Sequence, residues 1–334
     1  MISNPWEIYD GLIDEACRAA AESVVARVQL GSVWTLLESE QGGCGLAMTP
    51  THGERTLAWP GTLQGRPLAA LIPWVKSWNA YEACIGMAAL NAALGAGAGW
   101  HQELHGAGEK ILSQQSANLA LFAHFKSKLV GKRVVVIGRY PGLEELDPQG
   151  QWQVIERNPG QGDYPDSACE YLLPEADWVF ITASSLVNKT LPRLLALSQQ
   201  AVTVLMGPTT PWSPQWAAWG VDFLAGVVLK DAAALDCTVA EGGGTAIFGS
   251  GVDYFLRDLG GPKLSKLKGQ IATTYRAREE LKQRMEQWYG GPESASTPFP
   301  QRLELERVDR QLSQLDSCYN RQWAARNSTP HEPR

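Results

Sequence analysis

The stretch from Gly131 to Leu195 constrains the fold most. Gly131-Lys-Arg-Val-Val-Val-Ile-Gly138 is a run of β-branched residues opened by a charged pair and closed by a glycine. That is the pattern of a strand buried on both faces of a parallel sheet. A turn follows, Arg139-Tyr-Pro-Gly142, then a short helical piece, then a second strand over Gln151 to Arg157 whose last apolar residue precedes Glu156. In a dinucleotide-binding crossover an acidic residue about 20 positions after the glycine turn takes the ribose hydroxyls, and Glu156 lies close to that distance from Gly138. The loop chemistry departs from that pattern. Pro141 stands between Gly138 and Gly142, and the third glycine that lets backbone amides approach a pyrophosphate is missing.

A third strand, Asp177 to Ala183, ends in the polar run Ser184-Ser-Leu-Val-Asn-Lys-Thr190 and leads into a helix over Leu191 to Ser198. The fourth, Ala201 to Met206, runs into Gly207-Pro-Thr-Thr-Pro211, where the Thr209 and Thr210 hydroxyls could hold an oxyanion at a helix start. Val221 to Leu229 reads as a fifth strand, with Gly226 marking a close backbone approach and Asp231 just beyond its end. Ligands of open α/β sheets bind at the carboxyl ends of the strands, which is where these polar residues fall. Trp212, Trp216 and Trp219 lie at helical spacing and read as packing residues. The loop from Asn158 to Ser167, with the acids Asp163 and Asp166, is long enough to fold over a ligand, and a plain solvated loop is an equal reading.

Val136-Ile-Gly-Arg-Tyr-Pro141, Ile155-Glu-Arg-Asn-Pro159, Leu173-Pro-Glu-Ala-Asp177, Thr182 to Thr190, Gly207 to Pro211, and Leu224-Ala-Gly226 followed by Asp231 resemble, in order, the blocks of the heavy-metal chelation domain family. The resemblance covers about residues 20 to 250. It implies a Rossmann-like domain paired with an amino-terminal domain like that of enolase. The fold class expected is α/β, a Rossmann-like mostly parallel sheet with an amino-terminal α+β domain, together with a carboxyl-terminal helical hairpin that the resemblance does not reach and that rests on the seam spacing given below.

With 334 residues, 44% hydrophobic and 19% charged, the chain can bury the cores of two domains. A net charge of −6 excludes a general nucleic-acid binder, which needs a basic surface to release phosphate counterions. The start has neither a cationic nor an apolar leader region, and no stretch reaches about 18 uninterrupted apolar residues, so a cytoplasmic protein without membrane partners is expected. Six scattered cysteines have no Cys-x-x-Cys spacing and signal neither a zinc knuckle nor a disulfide framework.

The first domain is placed at residues 1–95. It comprises a helix over Trp6 to Ser23, strands over Val24 to Leu30, Ser32 to Glu38 and Cys44 to Met48, a short helix over Leu68 to Val75, and a helix over Ala80 to Leu94 opened by a capping box at Asn79 and Glu82. Ser77, Asn79 and Asn91 read as capping and turn residues ahead of ligand contacts. A hinge and linking helix occupy 96–130, with a glycine-rich connector from Gly95 to Gly99 and a helix over Lys110 to Leu129. His101 and His105, at i and i+4, are weak metal candidates lacking third and fourth ligands, and His124 reads as structural. The Rossmann-like domain spans 131–260.

Residues 261–326 carry two apolar seams at alternating three and four spacing, through Leu264, Leu267, Ile271, Leu281, Met285 and Trp288, and through Leu305, Val308, Leu312, Leu315 and Tyr319. The segment between them holds Gly290, Gly291 and Pro292 and cannot continue a helix, so an antiparallel hairpin is expected. Thr274 and Arg278 interrupt its first seam. Trp288, Tyr319 and Trp323 should meet the body or a second chain, and a homodimer is the expected assembly. From Lys263 to Arg326 the hairpin has 12 Lys and Arg against 8 Asp and Glu, basic where the whole chain is acidic.

Three functions are compatible with these features. The first is a metal-homeostasis protein binding a metal chelate or a small anionic nucleotide-like ligand between its two domains. The second is an enzyme acting on a nucleotide or pterin-like substrate. The third is a carrier or assembly factor for metallocofactor maturation. The expected ligand residues are Gly138, Arg139, Pro141, Glu156, Thr182, Ser184, Ser185, Asn188, Thr190, Gly207, Thr209, Thr210 and Asp231.

Overall fold

The computed structural model describes residues 4–52, 57–96, 108–111, 117–291 and 298–327. The chain divides into two compact units, residues 1–259 and 260–334. In the first unit, helix α1 (Trp6–Ala20) precedes a three-stranded antiparallel sheet of β1 (Val25–Leu30), β2 (Trp34–Ser39) and β3 (Cys44–Met48). A short helix α2 (Leu68–Leu71) tightens into a 3-10 turn (Ile72–Lys76) at Pro73, which cannot supply the amide an α-helix would use there. Helix α3 (Ala80–Ala96) follows and packs on β3.

The first sheet is buried on both faces. Val25, Leu37 and Ala47 join the core beneath α1 and α3, whereas Trp34, Leu36 and Leu46 join a second cluster with Leu235, Val239, Ile247 and Val252. That second cluster joins this sheet to the larger domain, which explains why the strands show no clean polar face.

The larger sheet has eight strands in the order β4-β11-β10-β9-β8-β5-β6-β7. They are β4 (Glu109–Lys110), β5 (Val134–Ile137), β6 (Gln153–Glu156), β7 (Tyr164–Pro165), β8 (Trp178–Thr182), β9 (Val202–Met206), β10 (Phe223–Leu229) and β11 (Val252–Asp258). All neighbours from β7 to β10 run parallel, and β11 runs antiparallel to both β10 and β4. Its helices are α4 (Ala120–Leu129), α5 (Cys169–Leu172), α6 (Ser184–Val187), α7 (Leu191–Leu197), α8 (Ala232–Ala240) and α9 (Ile247–Ser250). Helix α4 lays Phe122 and Phe125 against Phe180, Trp178 and Phe223, with ring centroids 4.8 to 5.0 Å apart for the tightest pairs.

Four expectations are corrected. Of the helix expected from Lys110 to Leu129, Ala120–Leu129 is helical after a 3-10 turn at Ala117–Leu119, whereas Lys110 is an edge strand opposite Phe255 and Ile111 donates its amide to the Tyr254 carbonyl. Strand β11, not expected from the sequence, returns antiparallel between β10 and the edge strand β4 after the Glu241-Gly-Gly-Gly244 loop. Gly95, assigned to a flexible connector, lies inside α3, and the rest of that connector falls outside the described residues. The capping box at α3 is relayed. The Asn79 side chain accepts from the Tyr81 and Glu82 amides as expected, but Glu82 accepts from the Ser77 hydroxyl, which in turn accepts from the Asn79 amide.

The second unit is an antiparallel pair, α10 (Gly261–Tyr289) and α11 (Arg302–Asn327). Both seam interruptions have partners in it or are buried. Thr274 is buried, and Arg278 reaches across to Asp309, Nε to Oδ1 at 2.5 Å.

Candidate functional site

The first strand of the parallel run, β5, lies between β6 and β8, so the chain leaves β5 on one side and returns on the other. The loops beyond β5 and β8 flank this reversal, the place where open α/β sheets bind their ligands. They touch. Gly138 has φ +100°, and a Cβ there would lie 3.0 Å from Thr182 Cγ2, so both the conformation and the approach require glycine. Tyr140 turns inward, its ring edge-on to Phe122 at 5.2 Å, and burial raises its phenol beside Thr182. Tyr254, raised by burial in the same way, lies near both Tyr140 and the Gly207 amide, which brings the loop after β9 to the same end of the sheet.

The segment from Thr182 to Thr190 is arranged by its own short-range bonds. Thr182 Oγ1 and Ser184 Oγ are 3.0 Å apart, which leaves one of the two hydroxyl hydrogens available to a ligand. Ser185 Oγ donates to the Thr182 carbonyl at 2.6 Å. Asn188 Oδ1 accepts from the Thr190 amide at 3.1 Å and the Thr190 hydroxyl at 2.7 Å, so these two expected ligand residues hold a turn. Lys189, inside that turn, has φ +66°, a left-handed conformation that a lysine adopts at a cost. Its ammonium donates to the Val187 carbonyl at 2.9 Å, and burial lowers its pKa to about 8. Lys189 is not among the ligand residues expected from the sequence. A lysine between Asn188 and Thr190, beyond a buried strand, was the available signal.

On the other side of β5, Glu156 accepts the Arg139 amide at 3.1 Å and the Arg157 amide at 2.7 Å. Each carboxylate oxygen therefore holds one amide of the neighbouring backbone and keeps a further lone pair. The Arg139 guanidinium bonds Asp163, at 3.0 Å from Nε and 2.5 Å from Nη2. Burial alone would raise the Asp163 carboxyl, but the Arg139 hydrogen bond, the Gly160 amide and the guanidinium charge together hold it below the usual carboxylate range. These bonds pin the 158–167 loop, and Asn158 meets His52, another residue the sequence reading passed over, at 3.3 Å. Pro141, exposed, offers its carbonyl to Asn118 at 3.1 Å.

The remaining expected residues are engaged in contacts of their own. Thr209 Oγ1 accepts from the Met48 amide at 3.0 Å, and its carbonyl accepts from Asn91 Nδ2 at 3.0 Å, so Thr209 fastens the loop after β9 to the first domain. The turn that follows is a four-residue 3-10 helix capped by Ser213, so Thr209 and Thr210 do not open a helix that could hold an oxyanion. Asp231 is the cap of α8, accepting from the Ala234 amide at 3.0 Å. Gly226 is closely approached, as expected: a Cβ there would lie 3.1 Å from the Trp212 ring. His101 and His105 lie outside the described residues. Among the described residues, no three His, Cys, Asp or Glu side chains are grouped so as to hold a metal ion. His124, next to Glu109, has its pKa lowered by burial and packs edge-on to Phe125.

The larger domain matches a family model described as "Putative heavy-metal chelation" over residues 120–256, and the first domain matches a second model of the same description over residues 13–94. A crystal structure of a DUF364-family protein of unknown function from Desulfitobacterium hafniense is 35% identical, with a TM-score of 0.65, covering 76% of this chain and 98% of that one. A second, from Pyrococcus horikoshii, shares the fold at 22% identity with a TM-score of 0.59, over 74% and 98% of the two chains. An uncharacterized protein of Methanocaldococcus jannaschii is 27% identical over 207 residues, 60% of this chain and 71% of that protein. Among the described residues, no helix is long and apolar enough to cross a membrane.

Proposed function

This chain belongs to the DUF364 heavy-metal chelation family, and from that premise we propose that it binds a metal chelate or a small anionic, nucleotide-like ligand in the crevice between the loops that follow β5 and β8. Lys189 carries the reading. A half-buried ammonium held in a strained left-handed turn, at the point where strand order reverses, is a cation positioned for an anionic group at a cost to the fold. The Thr182 and Ser184 hydroxyls on the same segment add a donor. A ligand that arrives with its metal already coordinated needs an anion site and a shaped wall from the protein, and does not need three protein ligands around the ion. The protein then acts in metal homeostasis within the cytoplasm.

A second reading, an enzyme acting on a nucleotide or pterin-like substrate, is favoured by the same lysine. With a pKa of about 8, Lys189 can exchange a proton near neutral pH.

Metal and phosphorus analysis of protein purified without chelators, wild type beside Lys189→Met, tests both. The first reading expects metal in the wild type and its loss from the variant. Phosphorus without metal would favour a nucleotide-like ligand, and equal metal in both proteins would move the site away from Lys189.

A further inference from the structure

Helix α1 buries Ile8, Tyr9, Leu12, Ala16 and Ala20. Tyr9 is 1% exposed and carries the one hydroxyl of that row. Phenylalanine would supply the same ring, and a buried hydroxyl costs stability unless it is bonded, so the phenol is there for its partner. That partner is far away in the chain. The Tyr9 hydroxyl donates to the Leu186 carbonyl at 2.9 Å, across 177 residues, and burial raises the phenol so that it stays protonated and donating.

The Leu186 carbonyl has a second donor, the amide of Lys189 at 3.2 Å. One oxygen therefore receives both a phenol of the first domain and the backbone of the turn that carries Lys189. Two further bonds close this turn, from the Asn188 amide to the Ser184 carbonyl at 3.3 Å and from the Thr190 amide to the Ser185 carbonyl at 3.0 Å. These three amide bonds lie within residues 184–190, whereas the phenol comes from another domain. Lys189 is left-handed in the turn, at φ +66°, a conformation that persists only where the surroundings over-determine it.

We propose that Tyr9 is a positioning residue for Lys189: by fixing the Leu186 carbonyl it couples the docking of α1 to the turn that presents the lysine, so the amino-terminal domain sets whether the ligand site has its cation in place. This rests on the reading that Lys189 holds the ligand's anionic group. Without the phenol, the left-handed turn loses a constraint, and Lys189 can relax to an ordinary backbone conformation with its ammonium in water. Its pKa, which burial lowers to about 8, should then return towards the lysine value of 10.5. The first domain also fastens the loop after β9, through Met48 and Asn91 on Thr209, and this contact to a different loop provides the control.

Trace acetylation of the full-length protein over a range of pH, read lysine by lysine by peptide mass spectrometry, follows the titration of Lys189 without any ligand. The wild-type midpoint is expected near 8. In Tyr9→Phe it should rise by about one pH unit or more, a tenfold change in the proton equilibrium. Asn91→Ala, which weakens the other contact, should leave it at the wild-type value. Tyr9→Phe keeps the ring and its edge contact to Trp6, 5.3 Å away, and should fold. Tyr9→Met, flexible enough to fill the same space, is the second variant without the hydroxyl and should show the same rise. A midpoint unmoved by the loss of the hydroxyl, or moved as far by Asn91→Ala, would overturn the proposal, and so would a wild-type midpoint at the ordinary lysine value. The titration stands apart from the metal and phosphorus analysis. A shifted midpoint in a protein that carries no ligand would contradict Lys189 as an anion site and support the coupling.

Discussion

Asn91, on the third helix of the first domain, donates to the carbonyl of Thr209 in the second, 3.0 Å away, while its other amide hydrogen goes to Leu46. One side chain thus ties α3, β3 and the loop after β9 together. Asn91→Ala removes the donor from both carbonyls at once and should cost about 2 kcal/mol. The urea midpoint should fall with an unchanged slope. A midpoint equal to wild type would show that the clasp contributes nothing to stability.

Lys189 gives the fold a pH dependence of definite sign. Its folded pKa of about 8 lies below the usual lysine value of 10.5, so between those pH values the unfolded chain binds more protons. Stability should therefore rise as pH increases through that window, and the cost of the buried charge is fully present below about pH 8. Lys189→Met removes this contribution. The difference in melting temperature between variant and wild type should favour the variant at pH 7 and narrow towards pH 10.5, and a constant difference would contradict the buried-charge account.

The parallel core was legible in the sequence because buried strands read as unbroken β-branched runs. Val134 to Ile137 and Val202 to Met206 are buried throughout. What the sequence hid depends on long-range partners. Nothing local shows that Thr209 accepts from Met48, 161 residues away, so a hydroxyl at a strand end looked free when it was a fastening. Glu156 falls at about the expected distance from Gly138, and the sequence does not show that two neighbouring amides also bond its oxygens. Strand β11 is not legible in the sequence because Asp253 and Arg257 break its apolar run.

Gly45 should tolerate no side chain. An added Cβ would lie 2.0 Å from the Ala88 carbonyl oxygen and 2.3 Å from the Ala92 amide nitrogen, both backbone atoms of α3 that cannot rotate away. Gly45→Ala should destabilise by about 3 kcal/mol, at the upper end of overpacking costs. A thermal melt within a degree or two of wild type would show that β3 and α3 can separate locally.

The helical pair exposes Tyr275 and Trp323, each about half accessible, in a segment that is basic by sequence. We expect these surfaces to close a homodimer, because self-complementary faces pair under two-fold symmetry. Removing the chain from Gly261 onward should leave residues 1–260 folded and shift the species in light scattering towards monomer. A full-length protein that is monomeric at high micromolar concentration would rule the dimer out.

The central claim, an anionic ligand held at Lys189, is tested most directly by native mass spectrometry of wild type and Lys189→Met purified side by side without chelators. We expect the wild-type chain to carry a small-molecule adduct, with a metal isotope pattern if the ligand is a chelate, and the variant to fly at its bare mass. Bare mass for both proteins, or an adduct kept by the variant, would contradict the account.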